Sequence, residues 1–255
     1  MRSVFITGAN QGIGYYMARQ FLDDGENVSV YDVDTEQLEV LKAQFPEQLH
    51  VIKGDLRDAN SVSKAIEHTA ERFGKVDYAI HNACVCPFGE FENISDNDYR
   101  NTLDVNFYGA IHLCRAVIPI MKKQKFGKVF FTSSAIGITG FSNISSYASS
   151  KGALETLAKC LGLEYQDKGI SFHIMHPPLT RTQSAKPLPI PEEMKEEPEK
   201  VGRNLAVQIS KNKDKFIVCS SKTLSFQTRM MYLFPVTMGR FLDKGAKKMM
   251  ANKKQ

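Results

Sequence analysis

No apolar run in this chain approaches the ~20 residues that a helix needs to cross a bilayer. No arginine-rich stripe is present, and 33 basic residues against 28 acidic ones leave a net charge of only +5. That balance argues against a nucleic-acid partner. The five cysteines form no framework of paired spacings, so a disulfide-stapled secreted domain is not expected and a reducing cytoplasm is. No paired His or Cys cluster stands out. Cys84 and Cys86 could ligate a metal, but buried or loop thiols are the better reading, and no metal site is expected. Repeats and low-complexity blocks are also missing before residue 183. The opening Met1-Arg2-Ser3-Val4-Phe5-Ile6 runs directly into a glycine turn, which leaves no room for a signal peptide in this reading.

What remains is a chain of 255 residues with 42% hydrophobic and 24% charged content, enough for one large α/β domain with a buried core. Short apolar runs alternate with helical patterns. Strands are expected at Val4–Thr7, Val28–Tyr31, His50–Lys53, Val76–His81, Lys128–Thr132, Ser171–Met175 and Phe216–Cys219. Helices are expected at Gly14–Asp23, Thr35–Phe45, Ser61–Phe73, Tyr147–Asp167 and Glu199–Ser210, with one or two more within Asp96–Lys123. Strands separated by helices imply βαβ units. The expected fold is a single Rossmann-type, doubly wound parallel sheet of about seven strands with helices on both faces. Residues 1–220 would form that domain and 221–255 a helical extension of it. Ser184–Pro198, with four prolines and four glutamates, reads as a long flexible loop.

Thr7-Gly8-Ala9-Asn10-Gln11-Gly12-Ile13-Gly14 lies between the first strand and the first helix. Gly8 lets the chain leave the strand sharply, Gly12 presents no side chain to a pyrophosphate, and Gly14 lets helix and strand pack closely. The free N–H groups at the helix start would face the phosphates. Asp32 ends the second strand. A carboxylate there accepts both hydroxyls of an adenosine ribose and repels a 2′-phosphate, so NAD is expected over NADP. Neither Gln11 nor Val33 offers a cation for that phosphate. Asp32 could also be an ordinary turn aspartate. Asp55, ending the third strand, could reach the adenine amino group.

Tyr147 and Lys151 lie one helical turn apart on one face. A free tyrosine titrates near ~10, and a neighbouring ammonium and an oxidised nicotinamide would both favour its phenolate. Tyr147 could then move a proton near neutral pH while the nicotinamide moves hydride. With the glycine turn, the serine strand Val129-Phe130-Phe131-Thr132-Ser133-Ser134 and the run Asp104-Val105-Asn106-Phe107-Tyr108-Gly109, the chain resembles the short-chain dehydrogenase/reductase family over about residues 3–182. The resemblance implies that Ser134, thirteen residues before Tyr147, hydrogen-bonds the substrate oxygen, and that Tyr147 is the general acid/base. It also implies that Lys151 binds the nicotinamide ribose. Asn106 would bend its helix and hold a water that connects to Lys151. The expected cofactor-binding set is Gly8, Asn10, Gln11, Gly12, Ile13, Gly14, Asp32, Asp55, Leu56, Asn82, Ala83, Tyr147, Lys151, Pro177, Thr180 and Thr182.

Two departures from the family pattern stand out. His81-Asn82-Ala83-Cys84 has a cysteine where the family has glycine, and Pro177-Pro178 has a proline where the family has glycine. His81 and His176 are expected to pack at strand ends rather than bind metal. The family's glycine-rich end is replaced by the apolar run Met230–Val236 followed by lysines, a tail similar to those of branches acting on sterols, retinoids or sphingoid ketones. It reads as a helix packed on the body, as a cover over the opening for a bulky apolar substrate, or as a peripheral membrane contact. The expected function is hydride transfer between NAD(H) and an alcohol or ketone by a homodimer or homotetramer. The alternative is a dinucleotide-binding sensor or scaffold with little catalysis.

Overall fold

A computed structural model describes residues 1–188 and 190–252. Seven parallel strands form one sheet: β1 (Ser3–Thr7), β2 (Asn27–Asp32), β3 (Leu49–Lys53), β4 (Tyr78–His81), β5 (Gly127–Thr132), β6 (Ile170–His176) and β7 (Ile217–Cys219). Their order is β3-β2-β1-β4-β5-β6-β7. The sheet therefore winds outward in both directions from β1 and β4. The crevice beyond their carboxyl ends is where open α/β sheets hold ligands.

Alternation along each strand divides the core. Val4 and Ile6 face one side with Tyr78, Ile80 and Phe130, beneath α1 (Gly12–Asp23), α2 (Glu36–Gln44) and α8 (Pro198–Ser210). Phe5, Ala79, Val129 and Phe131 face the other, beneath α3 (Ala59–Phe73), α5 (Gly109–Gln124) and α7 (Ser145–Tyr165). The expected stripe Met17, Ala18, Phe21 and Leu22 is the buried face of α1. On α3, Asp58 caps the N-terminus by accepting from the backbone of Asn60 and Ser61, and Gly74 ends the helix at φ 75°.

One expectation becomes definite and two change in detail. The span from 96 to 123 is two helices, α4 (Asp96–Leu103) and α5, joined by a π-helical turn over Asp104–Tyr108. The strand before His81 starts at Tyr78, because the Val76 amide is taken by the Gln124 side chain at 2.9 Å. The loop from 184 to 198 is pinned rather than loose. Leu179 and Arg181 bond the backbone of Glu196 at 2.9 Å each. The buried Lys195 donates to Ala185 O at 3.1 Å and to Glu192 at 2.6 Å. The short helix α6 (Ile136–Thr139) follows Ser134, and α9 (Lys222–Leu233) and α10 (Pro235–Asn252) close the described chain.

Candidate active site

The glycine turn is shaped by what stands around it. Gly8 and Gly12 hold φ of 66° and 62°, a region that favours glycine. A Cβ at Gly8 would lie 2.5 Å from Ala83 Cα, and one at Gly14 would lie 2.1 Å from Gly8 O. Over Gly12 stands Thr182, whose Cγ2 would be 3.2 Å from an added Cβ. α1 begins at Gln11 without a side-chain cap, so its first N–H groups remain available to an anion. This cradle fits a dinucleotide pyrophosphate.

Asp32 closes the adenosine side. Its carboxylate accepts the Asn10 amide at 2.9 Å and the Asp34 amide at 3.3 Å. Burial outweighs these bonds and raises its pKa above the usual carboxylate value. Asn10 is spent on structure: its side chain donates to Asp34 at 2.9 Å and accepts from Gln37 and Leu38, capping α2. Asp55 is likewise engaged, clamped by the Arg57 guanidinium, whose Nη1 also reaches Asn101 at 3.1 Å. That contact holds the Asp55 carboxyl below its ordinary range. Leu56 is buried, and its carbonyl accepts from His112 at 2.8 Å. Ile13 packs into the α1-side core.

Asn82 joins three strand ends. Its amide donates to Gly8 O at 2.8 Å, its oxygen accepts from Thr132, and its N–H donates to Thr7 Oγ1. Ala83 N also reaches Thr7 Oγ1, at 3.3 Å. Cys84 follows without a positive φ, so the missing glycine costs no backbone strain there. Pro178 O accepts the Thr180 hydroxyl at 2.7 Å, and Thr182 N bonds Thr180 O, so this turn organises itself after Pro177 without a glycine.

The catalytic candidates converge at the same carboxyl edge. Ser134 stands beside the Tyr147 phenol. Burial lifts that phenol well above the usual tyrosine range, the Cys84 and Cys86 thiols add to the rise, and Ser134 opposes it. The Lys151 ammonium is turned toward the strand. Its Nζ donates to Thr132 O at 2.6 Å and lies 5.4 Å from the Tyr147 ring centre. Burial lowers the Lys151 pKa. Asn106 sits in the π turn and is fully buried. Its amide clamps Val85 N and O at 2.8 and 3.0 Å and Ser150 at 2.9 Å. Beside these groups opens a cleft of about 410 Å³, lined by Gln11, Cys84, Cys86, Asn101, Gln183 and Ser184 among others.

Two groups near the site were not legible as such. His81 Nε2 bonds the Asn106 carbonyl at 3.0 Å, and burial followed by the Lys151 charge lowers its pKa to about 3, so it is neutral. The other is Glu155, one turn beyond Lys151. Its carboxylate meets His176 Nε2 at 3.2 Å and accepts the Tyr232 hydroxyl of α9. Burial opposes the charge, yet His176, Ser133 and Tyr232 together hold the Glu155 carboxyl below its ordinary pKa. That is why the run turns inward at Tyr232. A depressed carboxylate pKa stabilises the fold above the unfolded value near ~4.3, and this contribution is lost as pH falls through the folded value. Glu155→Gln should therefore show a shallower loss of stability below about pH 4 in denaturant titrations than the wild type. An unchanged acid limb would mean that Glu155 is not ionised in the fold.

Residues 2–193 match the model of the short chain dehydrogenase family. The chain belongs to that family. Oxidoreductase UcpA of Salmonella typhimurium is 34% identical over 189 residues, covering 72% of each chain. A 3alpha-hydroxysteroid dehydrogenase of Mediterraneibacter gnavus is 30% identical over 191 residues, covering 72% of this chain and 76% of its own. Among solved structures, 3-ketoacyl-(acyl-carrier-protein) reductase of Brucella melitensis complexed with NADH superposes with a TM-score of 0.78 at 21% identity, over 87% of this chain and 98% of the other. This member of the short-chain dehydrogenase family is thus an oxidoreductase with the family's sheet and helix layers. No described helix is long and apolar enough to cross a membrane.

Proposed function

We propose that this protein interconverts an alcohol and a carbonyl using NAD(H), with Tyr147 as the general acid/base. The observation that carries the reading is the meeting of Tyr147 and Ser134 beside a cleft that runs to the glycine turn. The bound dinucleotide supplies or accepts the hydride. Ser134 holds the substrate oxygen next to the phenol. Tyr147, kept protonated by burial, gives its proton to that oxygen in the reducing direction. Lys151 holds the nicotinamide ribose, and Asn106 fixes the helix bend and the loop at Val85 beside it. Gly8, Gly12, Gly14, Asn82, Ala83, Pro177, Thr180 and Thr182 shape the cofactor cradle, and Gln11, Ile13 and Leu56 flank it.

Residues 1–220 serve as the catalytic domain and 221–255 as its extension. A bulky apolar substrate accords with the cleft and with the steroid activity named for one relative. A cytoplasmic homodimer accords with the exposed apolar Tyr108 and Leu163, which lie on the π turn and α7. The competing reading is a dinucleotide-binding sensor or scaffold, and the bond from Lys151 to Thr132 is the observation in its favour. Turnover across a panel of hydroxysteroids, long-chain and short alcohols, with NAD and with NADP, separates the two. Activity on no member with either cofactor would overturn the enzymatic reading.

Asp32 makes the cofactor choice testable by itself. NADH should bind at least about tenfold more tightly than NADPH, a gap of ~1.4 kcal/mol. Fluorescence titration of both cofactors measures it. Equal affinities would mean that Asp32 does not meet the ribose.

A further inference from the structure

The last two helices carry a surface unlike the rest of the molecule. Residues 221–255 hold eight basic residues and one acidic, a net +7, which leaves residues 1–220 with 25 basic and 27 acidic, a net −2. All of the protein's positive excess therefore sits on the extension. Apolar side chains stand out on the same segment. At the junction of α9 and α10, Leu233, Phe234 and Val236 are 67%, 53% and 61% exposed. Phe226, two turns before Leu233 on the same face of α9, is 66% exposed, and Phe241 of α10 is 71% exposed. Arg229 shares the Phe226–Leu233 face, and Arg240, Lys244 and Lys248 are exposed along α10. Exposed apolar patches of this kind mark interaction sites.

The helices beneath the patch are firmly seated. Thr228 and Met231 are buried on α9, and Ala246 on α10. The Gly239 backbone lies so close to Thr139 that a Cβ would come within 2.4 Å of its carbonyl oxygen. Asp243 accepts from Ser142. Both contacts are to α6 and the loop after it, the segment that follows Ser134.

We propose that this knuckle is a docking surface for an anionic lipid bilayer. Leu233, Phe234 and Val236 enter among the headgroups, and the arginines and lysines around them meet lipid phosphates and carboxylates. Charge selects this occupant over a second copy of the chain, since self-association through the patch would oppose two strongly positive faces. The segment lies on the membrane rather than in it, because neither helix can span one. The proposal depends on no step of the chemistry.

Co-sedimentation of the full chain with phosphatidylcholine vesicles, with and without phosphatidylserine, tests it. The chain should bind the phosphatidylserine vesicles at least about tenfold better, and about 0.5 M salt should release it. The double variant Leu233→Ser/Phe234→Ser and the double variant Lys244→Glu/Lys248→Glu should each lower binding about tenfold or more. Both alter exposed side chains, so their melting temperatures should match the wild type. No preference for anionic vesicles would overturn the proposal. So would binding that survives the apolar variant, or a dimer in light scattering that the apolar variant dissociates.

Discussion

Tyr147→Phe should reduce turnover by roughly 100-fold or more while leaving NADH affinity within about twofold of wild type, because general acid–base catalysis contributes on that scale. The substitution removes one hydroxyl and keeps the ring, so the contact with Lys151 is retained. The cofactor cradle at Gly8, Gly12, Gly14 and Thr182 lies on other segments and is untouched. The expected split, lost kcat with intact binding, is the signature of a group that acts only in the transition state. Stopped-flow reduction of a substrate from the panel, together with NADH fluorescence titration, measures both parts. A variant retaining more than about a tenth of the wild-type rate would remove Tyr147 from the acid–base role. The phenol also sets an expectation for pH. Burial holds its pKa high in the polypeptide, so the proton needed for carbonyl reduction is present across neutral pH and the reducing rate should not fall between about pH 6 and 8 for want of it.

The parts of this site that the sequence made legible are the ones fixed locally. A glycine triplet between a strand and a helix has few conformations open to it, and Gly8, Gly12 and Gly14 take up the turn that their spacing implies. Asp32 falls at the end of β2 because the strand alternation carries it there. Tyr147, Ser134 and Lys151 come together because β5 and α7 both end or begin at the carboxyl edge of the sheet. What was not legible depends on partners far away in the chain. Which way the Lys151 ammonium turns is decided by a free carbonyl at Thr132. His81 reads as strand-end packing until α4, the π turn and α5 bring the Asn106 carbonyl to it. Tyr232 looks like one aromatic in an apolar run, yet it meets a carboxylate 77 positions earlier. The loop 184–198 looks mobile from its prolines and glutamates, but one buried cation, Lys195, ties it down. Hydrophobic periodicity reports burial of apolar faces and says little about where a single buried polar group finds its partner.

Lys151→Met should separate function from stability more sharply than any other substitution. Methionine nearly fills the same volume and removes only the ammonium. Lys151 is fully buried, and burial depresses its pKa, which means that the folded state disfavours the charged form. A lysine whose folded pKa lies below the unfolded value near ~10.4 weakens the fold at low and neutral pH. Stability then rises with pH through the window between the folded and unfolded values, because the unfolded chain binds the proton more tightly there. Removing the ammonium relieves that penalty. Against it stands the 2.6 Å bond to Thr132 O, whose loss leaves a buried carbonyl short of one donor at a cost of about 1–3 kcal/mol. The two effects oppose and are of similar size, since an unpaired buried charge carries a desolvation penalty of several kcal/mol. The variant should therefore stay within about 1–2 kcal/mol of wild type at pH 7, while its alkaline rise in stability disappears. Turnover should nevertheless fall at least about 100-fold and NADH affinity should weaken, because the cation proposed to hold the nicotinamide ribose beside Tyr147 is gone. Urea titrations from pH 7 to 10.5, run beside turnover and NADH binding, measure all three. A loss of more than about 3 kcal/mol at pH 7 with NADH affinity unchanged would make Lys151 a structural anchor of β5, whose main contribution is the Thr132 bond rather than contact with the cofactor.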